Sequence, residues 1–118
     1  FKDDKPILVT GAQGGSRIIT AVLQIILNYY EFGLSAEESV HLYRYHHQWK
    51  PETLMYEIFE EELMNELSEM GFTLKQRPPD YDYSNGITSS IMIEGDKLIG
   101  VSDPRSGDYM SIGISSKK

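Results

Sequence analysis

The chain has 118 residues, 40% of them hydrophobic and including 8 Tyr and 4 Phe, which is apolar material for one core or for part of a larger domain. Eighteen acidic against 11 basic residues give a net charge of −7, which disfavours non-specific nucleic-acid binding. The absence of cysteine excludes disulfides, thiol nucleophiles and thiolate metal sites, and the most apolar window, residues 18–27, is broken by Thr20 and Gln24 well short of a membrane span.

In chain order, residues 7–10 (Ile7, Leu8, Val9, Thr10) read as a short buried strand between Pro6 and Gly11. Residues 18–30 read as a helix apolar around most of its girth and so buried on more than one side, stopping near Phe32-Gly33. Ser35 with Glu37 and Glu38 reads as a capped start to a second helix over 36–43. The aromatic and histidine-rich stretch 44–49 is expected to be extended or irregular. Residues 54–58 alternate as a strand with Leu54, Tyr56 and Ile58 on one face. A third helix over 60–70 ends at Gly71, and a strand follows over 72–76, closed by Pro78-Pro79. Residues 80–86 read as a polar, tyrosine-studded loop turning at Asn85-Gly86. Strands over 89–93 and 98–102 form a hairpin, Asp103-Pro104-Arg105 breaks the second, Ser106-Gly107-Asp108 turns, and 115–118 is a polar tail. The order of elements implies an α+β or layered α/β arrangement.

The segment Thr10-Gly11-Ala12-Gln13-Gly14-Gly15-Ser16-Arg17 stands between the first strand and the long helix. Paired glycines there let backbone approach a ligand, and the first N–H groups of a helix lack partners and lie at its positive end. Such a turn suits a bound anion or the oxyanion of acyl transfer; a tight strand-to-helix turn with no further role is the plainer alternative. Gly11-x-x-Gly14-Gly15 matches neither the dinucleotide fingerprint nor the Walker A pattern. Ser16 is a candidate N-cap and Arg17 a candidate partner for a carboxylate.

Other chemistry-bearing residues have plainer readings. Glu57, Glu60, Glu61, Glu62, Glu66 and Glu69 read as a solvated helix face. His46 and His47 are adjacent and point to opposite faces when extended, and with His41 they match no zinc spacing, so no metal is expected; at least one should donate to backbone or tyrosine. Ser89-Ser90 sits in no nucleophile elbow and reads as strand decoration. Asp103 and Arg105 form either a functional pair or a turn with a local contact.

Taken together, Gly14-Gly15-Ser16-Arg17-Ile18-Ile19-Thr20 with Val22-Leu23-Gln24, Phe32-Gly33-Leu34-Ser35, Arg44-Tyr45-His46-His47-Gln48-Trp49 and Ser102-Asp103-Pro104-Arg105 resemble the gamma-glutamyltransferase (gamma-glutamyltranspeptidase) family, in order and across nearly the whole chain. The resemblance implies an N-terminal-nucleophile hydrolase, an αββα sandwich produced when a precursor cleaves itself into large and small subunits. It implies a catalytic threonine at the start of the small subunit, activated by its own amino group, and transfer of a gamma-glutamyl group from glutathione-like amides to water, an amino acid or a peptide. On this reading residues 1–118 are the C-terminal part of the small subunit, a single partial domain, with Gly14 and Gly15 as the oxyanion hole and no cofactor or metal.

Phe1 has no nucleophilic group, so the threonine is expected upstream and the isolated chain is expected to be inactive. The start at Phe1, with no signal peptide, suggests a processed or excised chain; the family implies a periplasmic or secreted setting, with a cytoplasmic one open for a divergent member. Expected partners are gamma-glutamyl substrates, the large subunit and the remainder of the small subunit; the isolated fragment, with bared sheet edges and faces, is open to self-association. Ala12-Gln13 replaces the Ser-Pro or Thr-Pro that the family commonly places before the glycines, and Leu42-Tyr43 replaces its Ala-Pro before the arginine motif. Residues 106–118 lack its glycine- and alanine-rich ending, which fits a divergent member. Two other classes remain open at this point: a non-catalytic anion- or nucleotide-binding module, and a catalytically dead relative.

Overall fold

Side-chain alternation governs the first strand, β1 (Leu8–Gln13), in a computed structural model that describes residues 1–79 and 84–107. It runs three residues beyond the expected end at Thr10, because an antiparallel partner strand, β5 (Ile87–Glu94), continues the ladder through Gly11↔Ser89 to Gln13↔Ile87. Gly11 is therefore part of the sheet, and the turn contracts to Gly14, Gly15 and Ser16.

The helix α1 (Arg17–Ile26) follows, with Ala21, Gln24 and Ile25 buried at i, i+3 and i+4. Its continuation, Leu27–Glu31, widens into a π turn in which Phe32 N–H bonds to the Leu27 carbonyl at 3.0 Å. Burial on more than one side does not hold within this chain: Ile19 is 75% exposed and Leu23 49%. Next, α2 (Ala36–His41) begins with the expected capping box, Ser35 Oγ accepting from Glu38 N–H at 3.2 Å and Glu38 accepting from Ser35 N–H at 2.9 Å. Leu42 has already left the helical region, so α2 ends before Tyr43.

The middle of the chain forms a second, smaller sheet. β2 (Tyr45–His46) pairs antiparallel with β3 (Thr53–Tyr56), α3 (Glu61–Glu69) crosses over, and β4 (Thr73–Gln76) returns parallel to β3. The β3–β4 pair is parallel because the helix between the two strands returns the chain to the same end of the sheet. β3 stops at Tyr56, before Ile58, since Glu57 turns inward and Ile58 is 43% exposed.

β5 and β6 (Lys97–Ser102) make the expected hairpin, with Glu94 opposite Lys97. The first sheet has the order β1-β5-β6, and α1 and α2 cover one of its faces. On that face Ile25, Ala36, Val40, Met92 and Val101 form the core, with Leu8, Tyr29 and Ile99 packed against it. The other face carries Val9 (56% exposed) opposite Ile91 (41%). The architecture is α+β, as expected. The tyrosines of the 80–86 loop, the turn residue Asp108 and the tail lie outside the described residues, whereas Asn85 and Gly86 are buried and do not form a surface turn.

Candidate active-site turn

Gly14 (φ +135°) and Gly15 (φ +62°) both occupy backbone conformations that side-chain-bearing residues rarely adopt, and they carry the chain from β1 into α1. Arg17 N–H and Ile18 N–H close the turn onto the Gly14 and Gly15 carbonyls at 3.3 and 3.1 Å. Among the described residues nothing accepts from the N–H groups of Gly14 or Gly15. Gly15 is exposed and Gly14 half-buried. Ser16 stands at the N-cap position but makes no cap; its hydroxyl donates instead to Gln48 Oε1 at 2.5 Å. Arg17 forms no ion pair among the described residues, contrary to the candidate carboxylate contact, and its Nε has no hydrogen-bond partner there.

A polar chain anchors the first turn of α1 from the side of β2. Gln48 donates its amide to the Lys50 carbonyl at 2.8 Å, which leaves Gln48 Oε1 to accept from His46 Nε2 at 2.8 Å as well as from Ser16. His46 Nδ1 is then the acceptor for the Thr20 hydroxyl, 2.7 Å away. The three histidines go to different places. His41 Nε2 donates to the Ser102 carbonyl at 3.1 Å, and His47 Nδ1 accepts from Trp49 N–H at 3.3 Å and meets Phe72 edge-on. Ser90, on β5, bonds Thr10 across the strand pair at 2.8 Å.

Behind the turn lies a group of four buried charges that the local sequence readings did not assemble. Glu57, read with the solvated acidic face, is 0% exposed. Its Oε1 accepts from Arg105 Nε at 2.7 Å and Asn85 N–H at 3.2 Å; its Oε2 accepts from Arg44 N–H at 2.8 Å and from Arg105 Nη2. Asp103 Oδ2 accepts from Arg44 Nη1 at 2.8 Å and Thr88 N–H at 2.7 Å, and its Oδ1 from Arg105 Nη1 at 3.0 Å. The Asp103–Arg105 pair is thus a local contact in a turn (Pro104–Ser106 forms one 3-10 turn) and also half of a long-range network.

Two positive and two negative groups cancel, which is what makes their joint burial tolerable. Burial opposes ionisation of Asp103, but Arg44 and Arg105 outweigh it and hold the carboxyl below its usual range. Burial also opposes the Arg105 charge, yet Glu57 and Asp103 keep that guanidinium above its ordinary value. Burial, with the like charge of Arg105, pulls Arg44 down.

Arg44 connects this network to the turn. Its Nη1 donates to the Gly86 carbonyl at 2.7 Å, and Gly86 packs directly against the glycine turn. The arginines sit in the two motifs the sequence singled out; their acidic partner Glu57 was masked by the glutamates that follow it.

The gamma-glutamyltranspeptidase family profile matches residues 1–112. The chain belongs to that family. It is 41% identical over 114 residues to the glutathione hydrolase proenzyme of Escherichia coli K12, covering 95% of this chain and 19% of the relative. It is 36% identical over 99 residues to glutathione hydrolase proenzyme 1 of Schizosaccharomyces pombe, covering 83% of this chain and 15% of that protein. The structure superposes with a TM-score of 0.83 on a gamma-glutamyltranspeptidase mutant, W525D, from Pseudomonas nitroreducens, at 34% identity, over 100% of this chain and 59% of the other. The α+β fold is therefore that of part of a family structure, and the chain spans about a fifth of the length of the curated relatives it matches.

Proposed function

We propose that this chain is the C-terminal portion of the small subunit of a gamma-glutamyltransferase, a single partial domain, and that it supplies the oxyanion hole. The full enzyme would take a gamma-glutamyl group from glutathione-like amides through an acyl-enzyme and pass it to water, an amino acid or a peptide. The attacking threonine would come from sequence preceding Phe1. Gly14 and Gly15 would donate their N–H groups to the substrate carbonyl oxygen as it becomes tetrahedral. Loss of one such donor typically costs about 2.7–4 kcal/mol of transition-state stabilisation.

The observation that carries this reading is the backbone of the turn. Two successive glycines at positive φ stand at the positive end of a ten-residue helix, with N–H groups that no described residue uses. The bared apolar residues on the outer side of α1 (Ile19, Leu23) and on the outer sheet face (Val9, Ile91) support burial against the remainder of the precursor, including the large subunit. The complete precursor, expressed and purified, should cleave itself and release gamma-glutamyl groups from a gamma-glutamyl anilide. A precursor that does neither refutes the reading. Replacement of Gly14 by Val in that protein should abolish turnover, and unimpaired turnover would remove the turn from the mechanism.

A further inference from the structure

Gly86 occupies the crook between the end of β1 and the first turns of α1. A methyl group added there would stand 3.0 Å from Ala21 Cβ, 3.5 Å from the Gln13 carbonyl oxygen and 3.6 Å from that of Arg17. From the other side, a methyl on Gly14 would stand 3.1 Å from Gly86 Cα. Gly14 thus faces the Gly86 backbone and has no room for a side chain on that side, while the side-chain position of Gly86 is closed by Ala21 and the carbonyls of Gln13 and Arg17. Gly86 is also at φ +100°, and its carbonyl is held by Arg44 Nη1, itself fixed by Asp103 at 2.8 Å.

We propose that Gly86 is a positioning residue for the oxyanion hole: it is the floor against which the Gly14–Gly15 turn rests, and the Arg44–Asp103 pair holds that floor in place. This inference rests on the function proposed above. A Gly86→Ala side chain fits only if the segment and α1 move apart by a few tenths of an ångström, and it must also accept a backbone at φ +100°. The separation lifts Gln13 and Gly14 off their support and shifts the N–H groups aimed at the developing oxyanion. Interactions realised only in the transition state are the ones that suffer, so kcat should fall while ground-state binding holds.

The test uses the complete self-processed enzyme with a gamma-glutamyl anilide, and compares the unaltered protein with Gly86→Ala, Ala21→Gly and the double variant. Affinities for L-glutamate and for a boronic-acid analogue that forms a tetrahedral adduct are measured in parallel. Gly86→Ala should lower kcat by at least about 10-fold and weaken the boronate by a similar factor, with glutamate affinity changed by less than about 2-fold. Ala21→Gly removes the atom that the new methyl strikes. Alone it should turn over at near the native rate, and combined with Gly86→Ala it should recover several-fold of the lost kcat. A merely structural glycine would not split kcat from glutamate affinity in this way. If Gly86→Ala fails to mature, the double variant decides: maturation with kcat below that of Ala21→Gly and boronate affinity weakened more than glutamate affinity supports the inference, and failure to mature, or equal loss of the two affinities, overturns it. Native kcat in Gly86→Ala, or an equal loss of glutamate and boronate affinity, also overturns it. No release by the unaltered enzyme would instead overturn the functional reading itself.

Discussion

Glu57→Gln is the sharpest probe of what holds this fold together. The carboxylate is fully buried and takes four N–H donors, two on each oxygen. An amide keeps the shape but turns one oxygen into a donor, so at least two N–H groups lose their acceptor: Asn85 N–H and Arg105 Nε, or Arg44 N–H and Arg105 Nη2. At about 1–3 kcal/mol for each buried group left unpaired, plus the lost ion pair, the cost is about 3–5 kcal/mol. In a domain of 150–250 residues that corresponds to a fall in Tm of about 6–20 °C. Thermal unfolding of the complete protein at one fixed scan rate, followed by near-UV circular dichroism, provides the measurement. Glu61→Gln, on the exposed side of α3, serves as the control and should stay within about 0.5 kcal/mol of the unaltered protein. A Glu57→Gln shift no larger than the control would show that the buried charge contributes nothing that its shape does not.

The two glycines of the turn should not respond alike to alanine. Gly14→Ala meets Gly86 Cα at 3.1 Å in a strained backbone and should lose about 10²–10³ in kcat, whereas Gly15→Ala enters open space at φ +62°, keeps its N–H and should lose about 10-fold or less; steady-state kinetics showing the reverse order would refute the assignment. Asp103 should govern the acid limb of stability. Its carboxyl lies below the unfolded value of about 3.9, so its contribution is complete above that pH and drains away as pH falls toward and through the folded value. Asp103→Asn should flatten this part of a pH–stability curve measured by denaturant titration; an unchanged slope would count against it. The Tyr29 hydroxyl donates to Glu94 at 2.5 Å, and this hydrogen bond, with burial, pushes the phenol up to about 12. Ultraviolet titration should therefore lose a late-ionising tyrosine in Tyr29→Phe, and loss of a phenol titrating near 10 would contradict the contact.

What the sequence disclosed depended on the range of the interaction. The Ser35–Glu38 capping box, the 94–97 hairpin and the glycine turn are settled within a few residues, and all three were legible. The ends of β1 and β3 were not, because they depend on partners distant in sequence: Gly11 looks like a turn residue until Ser89 stands opposite it. The acidic run 57–69 reads as one solvated face, yet Glu57 faces an arginine 48 positions further on. Asn85-Gly86 carries the composition of an exposed turn and is instead buried, because what selects glycine there is a φ of +100° and a side-chain position closed by Ala21 and the carbonyls of Gln13 and Arg17. The π turn after Ile26 has no breaker residue to announce it.

The chemistry of the buried network explains why charged residues occupy a place that apolar ones could fill at lower desolvation cost. Strand and helix ends leave backbone groups with no partner in any ladder, and several such ends converge behind the glycine turn. Arg44 takes the carbonyls of Val40 and Gly86; Arg105 takes those of Val40 and Leu42; Glu57 takes the N–H groups of Arg44 and Asn85; Asp103 takes those of Thr88 and Arg105. An apolar replacement set would spare the desolvation of four ions but orphan these buried backbone groups, each at a cost of about 1–3 kcal/mol. The ions thus act as caps for segments that meet at odd angles, which hydrocarbon side chains cannot do. The groups so capped include Gly86, whose place beneath Gly14 makes the same contacts that stabilise the junction of the two sheets also fix the position of the turn. Destabilisation here should therefore appear in turnover before it appears in unfolding, whereas an equal loss at the 94–97 hairpin tip should appear in unfolding alone.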